Sequence, residues 1–197
     1  MYDLFLSPLV MASALRLMTP VLFAAMGGSF GHKAKVLCLG LESFMAFAAF
    51  FAMYGSYTFE SAYAGLLFGV LSAMIASCIF AVFVLIFKST PVIVGIALNL
   101  AAWGGTTYLL SMIFKTRGVF IDPRIKSFGS IDIPLIKDIP YIGKFLSGPT
   151  ILVYLSLVFM IIAYIIMFKT PFGLRLRGVG IKKIAAQTVG VNATKYQ

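Results

Sequence analysis

Long apolar runs interrupted by short polar breaks organise this chain. Three runs, residues 61–87, 89–114 and 145–168, contain no charged side chain. A helix needs roughly 20 apolar residues to cross the hydrocarbon core of a bilayer. A lipid-exposed span must be helical, because its backbone polar groups find no other partners there. The pattern therefore predicts an all-α fold, a polytopic helical membrane protein.

Two less uniform apolar segments precede these runs, and each contains one charged residue. Residues 4–28 include Arg16, and residues 36–54 include Glu42. With them we expect about five transmembrane helices, a transmembrane core over residues 1–168, a long loop at 115–148 and a polar tail over 169–197. The predicted spans are 4–28, 36–54, 61–87, 91–114 and 149–168.

The composition excludes an ordinary water-soluble domain. Hydrophobic residues make up 61% of the chain and charged residues 11%, whereas soluble domains have roughly 25% charged residues. Cys38 and Cys78 both fall in apolar segments, so a disulfide framework is not indicated. No basic residue precedes the first apolar run and Asp3 stands there instead, so we expect a retained span rather than a signal peptide.

The distribution of Lys and Arg predicts the orientation in the membrane. Five spans place nine cations on the side of the tail, Lys33, Lys35, Lys88, Lys169, Arg175, Arg177, Lys182, Lys183 and Lys195. The other side has six, Lys115, Arg117, Arg124, Lys126, Lys137 and Lys144. Cytoplasmic loops carry the excess of cations, so the bias predicts an outside N-terminus and a cytoplasmic tail. The net charge of +10 fits this topology and attraction to anionic lipid better than nucleic-acid binding.

The third span contains a stripe of small residues at every fourth position. Small side chains let two helix backbones approach closely in lipid. The spacing favours a tight helix contact, with chance in an Ala- and Gly-rich protein as the alternative. The stripe consists of Gly65, Gly69, Ala73, Ser77 and Ala81.

Three polar residues inside predicted spans are candidates for structural anchoring or for the solute pathway. A charge in the bilayer usually faces protein or a wet cavity. Glu42 would lie about 9 Å into its span and Arg16 about 18 Å from the cytoplasmic end of its own, at 1.5 Å per residue. For both, anchoring is slightly favoured. Asn99, followed by Gly104 and Gly105, suggests a loosened helix near a cavity, or an interhelical hydrogen bond.

The sequence contains no motif for catalysis or cofactor binding. It lacks a phosphate-binding loop, a nucleophile elbow and a cluster of His, Cys and carboxylates with metal spacing. We therefore expect no enzyme, no metal site and no cofactor, and an energy source in a gradient or another subunit. Prolines in the long loop, at Pro123, Pro134 and Pro140, predict an ordered cap on the outer face. No single aromatic residue is favoured as a stacking site.

Three stretches resemble the permease subunits of ABC importers for nucleosides and simple sugars. The first comprises LRLMTP and AAMGG at residues 15–28 with LGLE at 39–42, and the second is VGIALNL at 94–100. The third, and most specific, is TPFGLRLRGVG at 170–180, followed by Ala185, Ala186 and the GVN of 190–192. Together they cover nearly the whole chain in the order of the family.

The resemblance implies a location in a bacterial inner or plasma membrane and three protein partners. These are a cytoplasmic ATPase that hydrolyses the ATP, a second permease, identical or paralogous, and an extracytoplasmic solute-binding protein. The tail would couple transport to the ATPase. The residues implied in coupling are Phe172, Gly173, Arg175, Arg177, Ala185, Ala186 and Gly190.

The chain also departs from the family pattern. Cys38 stands where Asn is common, Ser43 where Gly is usual, and residues 181–183 replace an acidic-Asn-Pro triplet. The permeases of the family continue with further spans, so the resemblance implies that this sequence is either a fragment or a shortened gene product. The alternative function is a gradient-driven transporter or channel component, which would show inverted repeats and paired intramembrane charges.

Overall fold

The computed structural model describes residues 8–116, 118–129, 150–182 and 188, without the side chains of residues 8, 9, 11 and 12. These residues form an all-α chain, as the apolar pattern predicts. The helices are α1 Pro8–Lys33, α2 Leu41–Phe59, α3 Ala62–Ala81, α4 Pro91–Phe114, α5 Ile151–Lys169 and α6 Pro171–Ile181. A π-helical turn, Val82–Ile86, continues α3.

Within the part of the chain that the structure describes, four stretches of helix are long and apolar enough to cross a membrane. They are Ser13–Lys33, Ala62–Ile86, Pro91–Phe114 and Ile151–Lys169. The 19-residue helix α2 is not in this set. It begins with Glu42 in its first turn and ends in a polar stretch that includes Ser56 and Thr58. The all-α, polytopic fold is confirmed, with four candidate spans among the described residues where about five were expected.

The chain separates into two compact units. The first contains α1, α5 and α6. Within it α1 packs along α5, with Phe23 and Phe159 in an edge-to-face contact whose ring centroids lie 6.0 Å apart. Helix α1 contains Pro20, which cannot donate a backbone hydrogen bond. The adjacent Thr19 hydroxyl donates to the carbonyl of Leu15 at 2.9 Å.

The second unit contains α2, α3, α4 and the segment that follows α4 to Ser127. Helix α2 packs chiefly on α3 and also on α4. Phe44 of α2 and Phe80 of α3 meet edge to face with centroids 6.0 Å apart. The turn between α2 and α3 is tight, and Glu60 takes up a left-handed backbone conformation there, with φ 49°.

One helix begins later than the sequence predicts, and this changes the position of Glu42 within it. The second span was expected from residue 36, but α2 starts at Leu41. Glu42 therefore lies in the first helical turn, and the prediction of 9 Å depth within the helix is wrong. The physical reason is the non-helical connection that ends at Gly40, which precedes the helix as its N-cap. A carboxylate in the first turn is favoured by the positive end of the helix dipole.

Candidate functional site

Two of the family-like stretches contact each other in the second unit. The connection before α2 lies directly on α4 at Gly95. A Cβ added to Gly95 would come within 2.9 Å of the Leu39 Cβ and 3.1 Å of the Gly40 nitrogen. Only glycine permits so close an approach of the two backbones. The LGLE and VGIALNL stretches thus form one packed junction.

Asn99 makes two hydrogen bonds across the same junction. Its side-chain oxygen accepts from the backbone N–H of Ser43 at 3.0 Å, and its side-chain nitrogen donates to the carbonyl of Leu39 at 3.2 Å. Ser43 is the third residue of α2, whose N-cap Gly40 supplies no side-chain cap. The first N–H groups of a helix lack partners within it. Asn99 therefore caps α2 from a neighbouring helix, the interhelical bond that was one of its two expected roles.

The small-residue stripe of α3 lies against α2 over part of its length. A Cβ on Gly65 would approach the Ala52 carbonyl oxygen to 2.8 Å, and one on Gly69 the Ala48 carbonyl oxygen to 3.1 Å. The partner helix also offers small residues at every fourth position, at Ala48, Ala52 and Ser56. Further along the stripe the side chains are less covered. Ala73 and Ala81 are half-buried and Ser77 is exposed.

Arg16 and Glu42 are both exposed, and they belong to different units. Arg16 lies in α1, within the stretch long enough to cross a membrane. A role for either residue in anchoring or in the solute pathway stays a prediction. Gly104 and Gly105, which suggested a loosened helix, lie within the uninterrupted helix α4.

A sharp turn joins α5 to α6 in the first unit. Pro171 occupies the first position of α6, and Thr170 is its N-cap, whose hydroxyl oxygen accepts from the Gly173 N–H at 3.3 Å. Gly173 is buried, and a Cβ there would collide with the backbone oxygens of Met167 and Ile166. The glycine therefore lets the chain fold back on the end of α5.

Helix α6 has one face packed inside the first unit. Its buried residues are Gly173, Leu176, Val179 and Gly180. A Cβ on Gly180 would collide with the Lys33 carbonyl oxygen at the end of α1, and the next residue, Ala34, is 3% exposed. The end of α1 and helix α6 therefore lie together.

The other face of α6 combines apolar and basic side chains. Phe172, Leu174, Arg175 and Ile181 are exposed. Arg177 lies back on α5, with its guanidinium carbon 5.0 Å from the ring centroid of Phe168. The helix thus leaves Leu174 exposed and buries Leu176. Ala185, Ala186 and Gly190 lie outside the described residues.

The start of the long loop packs on the ends of α2 and α4. The Ser56 hydroxyl donates to the Lys126 carbonyl at 2.9 Å, and its oxygen accepts from the Lys126 N–H at 3.0 Å. Arg124 lies 4.3 Å from the ring centroid of Tyr57 and pairs with Asp122 at 3.1 Å. This hydrogen-bonded guanidinium lowers the pKa of the Asp122 carboxyl. The described part of the loop is an ordered cap around Pro123, whereas Pro134 and Pro140 lie outside the described residues.

A surface depression of about 490 Å³ follows the second half of α4. From the sequence, aromatic residues including Trp103 could suggest a stacking site, but no single one was favoured, and Gly104 was considered only as part of a loosened helix. The lining residues are spaced one, three and four positions apart, so they share one helical face. This spacing is the feature of the sequence from which the depression could have been predicted. The depression is lined by Trp103, Gly104, Thr107, Tyr108 and Ser111.

The described residues contain no group of three His, Cys, Asp or Glu side chains that could hold a metal ion. At the candidate positions, Asn99 bonds the start of α2 from a neighbouring helix and the Gly173 N–H donates to the capping hydroxyl of Thr170, whereas Ser77 and Arg177 donate to carbonyls of their own helices. These contacts therefore hold helices in place, and the exposed side chains around them form the surfaces of the two units.

Residues 10–197 match the family described as the branched-chain amino acid transport system permease component. The chain is 32% identical to the nucleoside ABC transporter permease protein NupC of Lactococcus lactis, over 96% of this chain and 61% of that protein. It is 32% identical to the guanosine ABC transporter permease protein NupQ of Bacillus subtilis, over 90% of this chain and 57% of that protein. A putative glucose ABC transporter permease protein of Haloferax volcanii, TsgC13, is 25% identical over 91% of this chain and 54% of that protein.

No solved structure matches the chain significantly. The chain spans about 60% of the length of the first two curated relatives. The match covers the three stretches on which the family resemblance rested, and it confirms that resemblance. The chain therefore belongs to the family of branched-chain amino acid transport system permease components, and it is a multi-pass membrane protein.

Proposed function

We propose that this chain is a membrane-spanning permease subunit of an ATP-driven importer for nucleosides. The observation that carries the proposal is its 32% identity, over most of its length, to two proteins named as nucleoside and guanosine permeases. A simple sugar is the second candidate solute, favoured by the 25% identity to a putative glucose permease. The higher identity favours nucleosides.

The energy source in this proposal is ATP hydrolysed by a separate cytoplasmic subunit. The chain itself lacks the glycine-rich phosphate loop that ATP hydrolysis uses. A second permease and an extracytoplasmic solute-binding protein complete the proposed assembly. The rival is a gradient-driven carrier, which would hold its solute between paired intramembrane charges.

The proposed coupling surface is the exposed face of α6 with the residues after it. Helix α6 is positioned by its N-cap and by the close approach of Gly173 to α5 and Gly180 to α1. Its exposed side offers the apolar Leu174 and Ile181 beside Arg175. A groove on a partner can bury such apolar residues. Ala185, Ala186 and Gly190 would extend this surface.

The proposed orientation places α6 in the cytoplasm and the segment around Arg124 outside. The end of α1 lies against α6, and Ser56 at the end of α2 bonds Lys126. These contacts support the grouping of loops from which the orientation was predicted. The positive-inside rule then assigns the side with more cations to the cytoplasm.

Affinity purification of the chain from membranes of its own host tests the ATP-driven assignment. We expect a protein with a glycine-rich phosphate loop to copurify in stoichiometric amount. Ala186→Trp should abolish this association by steric bulk while membrane insertion persists, and Lys183→Gln should be tolerated. Purification without such a protein, together with transport that a protonophore abolishes at constant ATP, would favour the gradient-driven carrier.

A further inference from the structure

The exposed face of α4 changes its chemistry halfway along the helix. In the first half its exposed residues are aliphatic, Val92, Ile93, Ile96 and Leu100. At 100° per residue the same face continues through Trp103, Thr107 and Ser111. There it carries aromatic rings and hydroxyl groups instead. An aliphatic face suits contact with lipid, and the second half requires a different explanation.

An interfacial aromatic belt does not explain this change. Trp103 is 70% exposed and lies about 18 Å from the start of the 24-residue helix, at 1.5 Å per residue. It therefore lies at the middle of the helix, whereas belt residues lie at headgroup level. A large amphipathic ring at this depth is suited to a polar, ring-bearing partner.

Gly104 has no packing role among the described residues. A Cβ added there would meet no heavy atom of the described residues within 4 Å, unlike one added to Gly65, Gly69 or Gly95. The missing side chain instead leaves open the depression between Trp103 and Tyr108. Small residues along a contact let another helix backbone approach closely, and the two exposed rings would hold such a backbone away.

The hydroxyl groups of the depression can accept hydrogen bonds from a solute. The Thr107 hydroxyl donates to the Trp103 carbonyl at 2.8 Å, and the Ser111 hydroxyl donates to the Tyr108 carbonyl at 2.8 Å. Each oxygen keeps lone pairs for a second donor. The depression, about 490 Å³, is within the roughly 300–1,000 Å³ typical of small-molecule sites.

We infer that Trp103, Gly104, Thr107, Tyr108 and Ser111 form a contact site for a nucleoside on its path through the membrane. The flat base would stack on Trp103 or Tyr108, and ribose hydroxyls would donate to Thr107 and Ser111. This inference rests on the proposed function and adds to it the residues that recognise the solute. A sugar without a base would lack the stacking contribution.

Trp103 is the single tryptophan of the chain, so its fluorescence can report binding at this site. Titration of guanosine into the purified, detergent-solubilised full chain should quench the Trp103 fluorescence saturably, and ribose should not. Gly104→Leu keeps the reporter and fills the depression, so it should weaken binding by roughly tenfold or more, the order expected for one lost base–aromatic stack. Leu100→Ala, on the aliphatic half of the same face, should leave the titration unchanged.

Transport separates failure of this site from failure of the proposed function. In cells that lack the gene, the Gly104→Leu and Thr107→Val variants should reach the membrane in normal amount but take up guanosine with a raised KM. Normal guanosine uptake by both variants, with no specific quenching of Trp103, would overturn the site and leave the proposed function standing. Absence of nucleoside uptake by the unchanged protein would instead overturn the function on which the site rests. Crosslinking of Trp103→Cys to another helix, undiminished by guanosine, would assign the face to protein packing and contradict the inference.

Discussion

At the scale of single residues, Asn99 shows what sequence can and cannot assign. Its amide in an apolar run predicts either a cavity or an interhelical bond, because a buried polar group needs a partner. The sequence gives no position for that partner, which lies 56 residues away at the backbone of Ser43. Glu42 shows the converse error. Its depth was counted from an assumed helix start, and five non-helical residues before Leu41 shifted it to the first turn.

Replacement of Asn99 by leucine should destabilise the second unit. The change removes both bonds to the start of α2 and leaves the Ser43 N–H without its acceptor, which costs about 1–3 kcal/mol when a donor is buried. Thermal unfolding in detergent, followed by circular dichroism, measures the loss. Thr106→Val is the matched control on α4, because its hydroxyl donates to carbonyls of its own helix, those of Ala102 and Trp103. Equal unfolding temperatures for the two variants would contradict the capping role.

At the scale of helices, the sequence predicted the small-residue stripe on α3 but not how much of the stripe contacts another helix. A four-residue period places Gly65 through Ala81 on one face, and it says nothing about where the partner helix crosses. The structure brings Gly65 and Gly69 against α2 and leaves Ser77 exposed. Helix α6 gives a second example, because its basic and apolar residues alternate along the sequence. At 3.6 residues per turn, residues two positions apart lie on opposite sides of a helix, so the alternation does not produce one basic and one apolar face.

The Gly69→Leu variant should fail to assemble α2 against α3. Its Cβ would begin 3.0 Å from the Ala52 Cβ, and overpacking of this kind costs typically about 1–3 kcal/mol and occasionally more. The measurement is the yield of monodisperse protein on size-exclusion chromatography in detergent. Leu67→Phe, at a position 55% exposed on the same helix, should give a near-normal yield. Similar yields for the two variants would argue against the close contact.

Two glycines of α6 provide a test of how that helix is held. Gly173→Ala should loosen α6 from α5, because the added Cβ collides with backbone oxygens. Gly178→Ala should be harmless, because its Cβ would meet no described atom within 4 Å. Trypsin cleavage within α6 follows the population of the opened form, so a loss of about 1.4 kcal/mol speeds it roughly tenfold. If the two variants are cleaved at the same rate, the anchored turn is not what holds the helix.

At the scale of the whole molecule, composition and the positions of charges predicted the class of protein and its orientation. The class follows because so apolar a chain has few alternatives to a bilayer. The orientation was predicted from a modest excess of cations on one side of the membrane. Helix contacts within each unit indicate only which neighbouring loops lie together. What the sequence could not predict is the surface chemistry of α4, which depends on which residues remain exposed after the helices pack.

Labelling of single cysteines on intact cells tests the orientation. In a background of Cys38→Ala and Cys78→Ala, an impermeant maleimide should label Arg124→Cys and spare Lys33→Cys until the cells are permeabilised. The expected difference follows from the positive-inside bias. The reverse pattern, with position 33 labelled on intact cells, would invert the proposed topology and move α6 to the outer face.

The central claim, that this chain serves ATP-driven nucleoside import, is tested most directly by uptake of radiolabelled guanosine. The measurement compares host cells with and without the gene, with restoration by the unchanged gene as the control. We expect uptake to disappear with the gene, to return on restoration, to persist with a protonophore while ATP is maintained, and to stop when ATP is depleted. Guanosine uptake that is unaffected by loss of the gene, or that follows the proton gradient rather than ATP, would contradict the account.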